Sequence, residues 1–231
     1  MKKIVGILGG MGPEATADFF LEIIKLTPAK KDEDHLHIII DNNPQIPDRT
    51  EAILKGGKSP LPALQKAAQN LERAGADFIV IPCNTAHYFF DEIKKIVNIP
   101  LLHMMREVSK EIKERFPKVK KVGLLSTSAT ARIGLYQNEL EKEKIIVISP
   151  KEKEQEEVMK AINLIKGGEY SNSKDILKKI GEKLLLREAE LLVLGCTEIP
   201  LVLKQNDFSH PVVDAGYVLA KAAVKEALSS S

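Results

Sequence analysis

Residues 77–86 read DFIVIPCNTA and residues 190–199 read ELLVLGCTEI. Each places four apolar residues in a row, then Pro or Gly, then a cysteine followed by small polar residues and an apolar pattern. A continuous apolar run of that length, bounded by a turn residue, is the pattern of a strand buried on both faces. The two segments also carry the chain's only two cysteines. Upstream of each lies a second matching pair, VGILGGMGPEA (5–15) and VGLLSTSATAR (122–132), each a strand followed by its turn. Val5 and Cys83 are 78 residues apart, Val122 and Cys196 are 74 apart. Two events at nearly equal offsets point to a duplicated α/β unit, with a period too long for a solenoid.

Between these anchors, strands alternate with helices. Strands are expected over residues 3–8, 35–41, 77–81, 121–126, 145–149, 190–194 and 211–214, with 100–103 as a short strand or crossover. Helices are expected over 13–25, 61–74, 85–97, 105–116, 131–140, 152–165, 174–187, 200–204 and 215–228. Pro13 suits a first helical turn, Gly75 suits a helix stop, and residues 42–50 (NNPQIPDRT) read as a loop. Alternation of this kind predicts an α/β fold of two similar domains, each a parallel sheet flanked by helices. The expected boundaries are 1–103 plus 212–231 for the first domain, the last helix returning to it, and 104–211 for the second.

The 231 residues are 44% hydrophobic and 29% charged, an ordinary globular balance, and the net charge of +2 gives no reason to expect nucleic acid or a membrane surface as partner. No apolar run approaches the roughly 20 residues that span a bilayer, and the glycine-broken start reads as no signal peptide, so a cytoplasmic protein is expected. Two cysteines without a CxxC make neither a disulfide scaffold nor a structural zinc site. His35 and His37 share one face of a strand but lack a third ligand, so they read as solvated imidazoles on an edge strand and no metal is expected.

In open parallel sheets ligands bind beyond the carboxyl ends of the strands, where all four quoted turns fall. If the two domains face each other across a cleft, Cys83 and Cys196 flank one small ligand. A helix N-terminus beside each would favour the thiolate. Two opposed thiols then act as an acid–base pair, one removing a proton as the other donates one on the opposite face. The competing reading is two buried core cysteines, cysteine's commonest role. Equivalent placement in both halves favours function.

The segments LGGMGPEAT (8–16), NNPQIPDRT (42–50), PCNTAH (82–87) and LGCTEIP (194–200) resemble the cofactor-independent aspartate/glutamate racemase family, most closely its aspartate racemase branch. The resemblance implies pseudo-twofold α/β domains with a cleft active site, a homodimer, no cofactor and Cys83 and Cys196 as the two catalytic bases. It further implies that Met11, Arg49, Thr50, Asn84, Thr85, Thr127, Thr130, Lys166, Thr197 and Glu198 bind a small acidic amino acid. Arg49 resembles the arginine that grips a substrate carboxylate, a task suited to a forked guanidinium, and Lys166 the lysine that reaches the distal one. Family members often have Gly where Ala129 stands. The glutamate racemase branch has His in place of Glu198 and an aspartate in the first turn. Here that turn is Gly9-Gly10-Met11-Gly12, which points away from glutamate. His87 is a candidate to orient Cys83, or one face of a helix. The implied reaction is aspartate racemisation by a 1,1-proton transfer. Glutamate, a decarboxylase or isomerase on the same scaffold, a silent amino-acid binder and a redox dithiol are the alternatives.

Overall fold

The computed structural model describes residues 2–229. Residues 1, 230 and 231, at the ends of the expected first domain, lie outside the described residues. The chain forms two compact units, Met1–Glu107 with Gly216–Ser231, and Val108–Ala215. The first unit holds β1 (Val5–Gly9), α1 (Pro13–Leu26), β2 (Ile38–Asn42), α2 (Arg49–Lys55), α3 (Leu61–Arg73), β3 (Phe78–Val80), α4 (Phe90–Lys94) and the start of α5 (Met104–Arg115). Its sheet is parallel with order β2-β1-β3, Val5 lying opposite both Ile38 and Phe78. All five residues of β1 are buried, as a central parallel strand requires. On α3 the buried residues are Leu64, Ala67, Ala68 and Leu71, the i, i+3, i+4, i+7 stripe of one helix face. Covering each leucine contributes roughly 1.5–3 kcal/mol.

The second unit continues through β4 (Lys121–Ser126), α6 (Ser128–Arg132), α7 (Leu135–Leu140), β5 (Ile146–Ile148), α8 (Glu152–Lys166), α9 (Tyr170–Leu186), β6 (Leu191–Gly195) and β7 (Val212–Asp214). Its parallel sheet has the order β5-β4-β6-β7. Val158, Ala161, Ile162 and Ile165 of α8 form the same helical stripe and pack with Leu177, Ile180 and Leu184 of α9. The helix α10 (Ala215–Leu228) then carries the chain back to the first unit, where the Lys3 N–H donates to the Ala227 carbonyl at 2.9 Å. Each sheet thus puts its first strand between its second and third. The α/β class and the two parallel sheets flanked by helices are as the alternation of apolar runs predicts.

Several elements differ from expectation. Residues 42–50 are not all loop: the Asp48 carboxylate accepts the Glu51 N–H at 2.8 Å and caps α2, so Arg49 and Thr50 open a helix. The expected helix 85–97 is a 3-10 turn over Thr85–Phe89 followed by the five residues of α4. Gly134, at φ 73°, breaks the expected helix 131–140 into α6 and α7. The second strand starts only at Ile38, so His35 and His37 precede it. His37 is exposed, while His35 is half-buried with its Nδ1 covered and without a hydrogen-bond partner. Residues 100–103 make a single bridge, Leu101 to Ile79. The expected short helix 200–204 is a 3-10 turn, Ile199–Leu201. Among the described residues no helix is long and apolar enough to cross a membrane, and no three His, Cys, Asp or Glu side chains gather as metal ligands.

Candidate active site

In the first unit three turns leave the carboxyl ends of neighbouring strands. The turn after β1 is locked by Thr16, whose Oγ1 accepts the Gly10 N–H at 2.9 Å and donates to the Gly12 carbonyl at 2.9 Å. Gly10 has φ 91°, and a Cβ there would lie 2.3 Å from the Asn43 carbonyl carbon, so the turns after β1 and β2 touch through backbone alone. Arg49 spans the same two turns. Its Nη1 donates to the Ile46 and Pro47 carbonyls at 3.3 and 3.2 Å, and its Nη2 donates to the Met11 carbonyl at 3.4 Å. The side chain is 8% exposed, its Nε is buried with no hydrogen-bond partner, and no carboxylate pairs with it among the described residues. A buried cation without an anion is costly, so this site is suited to receive one. Thr50 follows Arg49 in α2 and is half-buried.

Cys83, Asn84 and Thr85 form the turn after β3, all buried. The Cys83 side chain joins the apolar cluster of Leu8, Met11, Ile81 and Phe89. His87 reaches back to this turn, but to its backbone: Nδ1 lies 2.9 Å from the Cys83 carbonyl, and the Met104 N–H donates to Nε2 at 3.1 Å. A carbonyl can only accept and an N–H can only donate, so the proton sits on Nδ1 and the ring is neutral. Burial first, and the neighbouring His103 second, push its pKa down from 6.5 to about 3. His87 therefore braces the Cys83 turn as a neutral strut between β3 and α5.

This has a consequence for stability. The unfolded chain protonates His87 near pH 6.5, the folded one only near 3. Its contribution is complete above about pH 6.5 and is lost as pH falls from there toward 3, worth roughly 3–5 kcal/mol in all. His87→Asn keeps a donor for the Cys83 carbonyl but cannot titrate. Its urea midpoint is expected to fall less than that of the natural chain between pH 6.5 and 4, and equal slopes would refute the assignment.

In the second unit, Thr127 caps α6: its Oγ1 accepts the Thr130 N–H at 3.2 Å and donates to Thr130 Oγ1 at 3.0 Å. Ala129, where the resembled family often has Gly, is wholly buried inside this short helix. The adjacent turn, after β6, carries Cys196, Thr197 and Glu198, all buried. The Cys196 thiol donates to Glu198 Oε2 at 2.9 Å. Its pKa is raised well above the ordinary thiol value, by burial first and then by the Glu198 carboxylate, with the Lys166 ammonium opposing. Lys166 ends α8, is exposed, and makes no ion pair among the described residues.

The expected helix N-termini behind the cysteines are only 3-10 turns, too short for a macrodipole, and at Cys196 burial and a carboxylate reverse the expected thiolate bias. Two further groups escaped the sequence reading. Tyr136 of α7 is fully buried, and burial, Asp214 and Cys196 push its phenol up. Asp214 ends β7, and a strand-terminal acid in PVVD was a legible signal. Nothing in the sequence around Tyr136 marked it.

Each unit thus gathers its predicted residues at the carboxyl edge of one parallel sheet: Met11, Arg49, Thr50, Cys83, Asn84 and Thr85 in the first, Thr127, Thr130, Cys196, Thr197 and Glu198 in the second. The family Asp/Glu/Hydantoin racemase matches residues 8–223, and the chain belongs to this family of isomerases. It is 31% identical to a broad-specificity amino-acid racemase of Bacillus subtilis, across 98% of this chain and 99% of the relative. Among solved structures it is similar to Picrophilus torridus aspartate racemase, at 35% identity and a TM-score of 0.88, across 97% of this chain and 94% of that one. It is also similar to an aspartate racemase homologue from Pyrococcus horikoshii, at 32% identity and a TM-score of 0.79, across 99% and 100%.

Proposed function

We propose that the protein racemises aspartate, Cys83 and Cys196 acting on opposite faces of the α-carbon. The observation that carries this is that the chain's only two cysteines sit in the turns that follow β3 and β6, strands that each lie beside the first strand of their sheet. One thiolate removes the α-proton and the opposite thiol returns one, a two-base 1,1-transfer that inverts the centre. Arg49, buried without an acidic partner among the described residues, takes one substrate carboxylate. Lys166, exposed at the end of α8, takes the other. Asn84, Thr85, Thr127, Thr130 and Thr197 provide the amide and hydroxyl groups that stabilise charge on the carbanion or enolate-like intermediate. Met11 lines the site, its carbonyl holding Arg49. The domain division at 103/104 and 211/212, read from the alternation of strands and helices, and the cytoplasmic setting, read from the want of a long apolar run, belong to this proposal, as does the homodimer that the family resemblance implies. A broader substrate range is the second reading, favoured by the similarity to the Bacillus enzyme along almost the whole chain.

The test is α-proton exchange in deuterated water with no added cofactor, followed by chiral analysis. Deuterium at Cα of L-aspartate with appearance of the D-isomer is the expected result. Equal rates on neutral amino acids would favour the broad-range reading. Silence with aspartate, glutamate and the neutral amino acids would leave a binding protein.

A further inference from the structure

The two cysteines are differently equipped. Within its own unit Cys83 lies in an apolar cluster, and the nearby His87 is neutral and bonded to its backbone carbonyl. Cys196, by contrast, donates its S–H directly to a carboxylate that is itself 4% exposed, at 2.9 Å. The bond gives the buried thiol an acceptor two residues along the same turn, and it aims the sulfur's proton at a group able to take it. From other elements of this unit Tyr136 of α7 and Lys166 of α8 act electrostatically with this thiol, and Asp214 of β7 acts with Tyr136, while Glu198 is the carboxylate bonded to the sulfur.

We propose that Glu198 is the proton partner of Cys196, a positioning residue that acts on the substrate only through the sulfur. When Cys196 serves as base, its S–H bond breaks and the proton moves to Glu198 Oε2, leaving a thiolate beside a neutral carboxylic acid. The thiolate then takes the α-proton, re-forming S–H as the substrate C–H bond breaks. When Cys196 serves as acid, it gives its proton to the carbanion and would be left as a thiolate against a carboxylate. Cys83 releases to solvent the α-proton it removed, and a proton from solvent returns through Glu198 to the sulfur, which removes the repulsion between like charges at hydrogen-bond distance. In the opposite direction Glu198 gives its extra proton back to solvent, so neither direction gains or loses a proton overall. Glu198 in this account does not hold the substrate, although the family resemblance would place it among the binding residues. The inference rests on the racemase reading for its catalytic meaning, but the partnership itself can be measured without turnover.

Cys83→Ser leaves Cys196 as the single thiol of the chain. The ultraviolet absorbance of its thiolate is titrated against pH with Glu198 intact and with Glu198→Gln, each corrected by the matching variant that also carries Cys196→Ser. An amide keeps the shape but cannot carry the charge, so the midpoint is expected to fall by about one pH unit or more. An unchanged midpoint, or a rise, overturns the proposal. With both cysteines present, Glu198→Gln is expected to lower kcat for aspartate about 10²-fold with KM changed less than about threefold, and Glu198→Asp to recover part of the loss. A raised KM at unchanged kcat would overturn it by assigning Glu198 to substrate binding. A chain that racemises nothing would sink the racemase reading, and the titration would still decide the proton partnership.

Discussion

Replacing either cysteine by alanine is expected to lower the racemisation rate at least about 10³-fold, and replacing both to cost little more, because the two thiols act as one unit. The more telling result lies in proton exchange. With Cys196→Ala, the thiol of Cys83 still meets the α-hydrogen of one enantiomer and can trade it for deuterium, but nothing reprotonates the opposite face. That variant should wash deuterium into one enantiomer of aspartate with retention. Cys83→Ala should do the same for the other enantiomer only. Mass spectrometry of each pure enantiomer after incubation in deuterated water reads this directly. Near-full racemisation by either single variant would end the two-base assignment, and exchange into both enantiomers by one variant would place a third base in the site.

The second large effect is expected at Arg49. Its guanidinium is held by three carbonyls and still leaves a buried Nε without a partner. Lysine can replace the charge but not the fork, so Arg49→Lys is expected to reduce kcat/KM for aspartate about 10²-fold, or ~3 kcal/mol, mostly through KM. A loss of similar size in Arg49→Lys and Arg49→Met would show that geometry, not charge, is what the site uses. The stability of Arg49→Lys should fall as well, since Arg49 ties the turn after β1 to the turn after β2. Equal KM values in the variant and the natural chain would remove Arg49 from substrate binding and leave it that structural task alone.

How legible was all this in the chain? The residues that formed regular, well-buried elements were readable because one physical rule governed each. Lys121–Ser126 and Ala215–Leu228 fall where the apolar run and the helical stripe predict. The α/β class followed from the same rule applied along the chain. The failures have a common cause, competition between a local signal and a neighbour. Two prolines made residues 42–50 look like loop, yet Asp48 had only to cap Glu51 for a helix to start. A helical pattern after Cys83 was real, but His87 bonds backward to Cys83 and forward to Met104, and the segment winds as a 3-10 turn. The identities of the candidate site residues were readable as a motif. Their protonation was not: Glu198 stood in plain view two positions from Cys196, and only the folded turn shows its carboxylate against the sulfur.

That contact also bears on how the chain survives outside catalysis. Oxidants attack thiolates, and they need access. Cys196 is 4% exposed and its carboxylate neighbour holds it in the S–H form. The same pairing that is proposed to take the sulfur's proton during turnover keeps the resting thiol unattractive to peroxide. A thiol proposed to react in turnover is thus shielded at rest by its own neighbour.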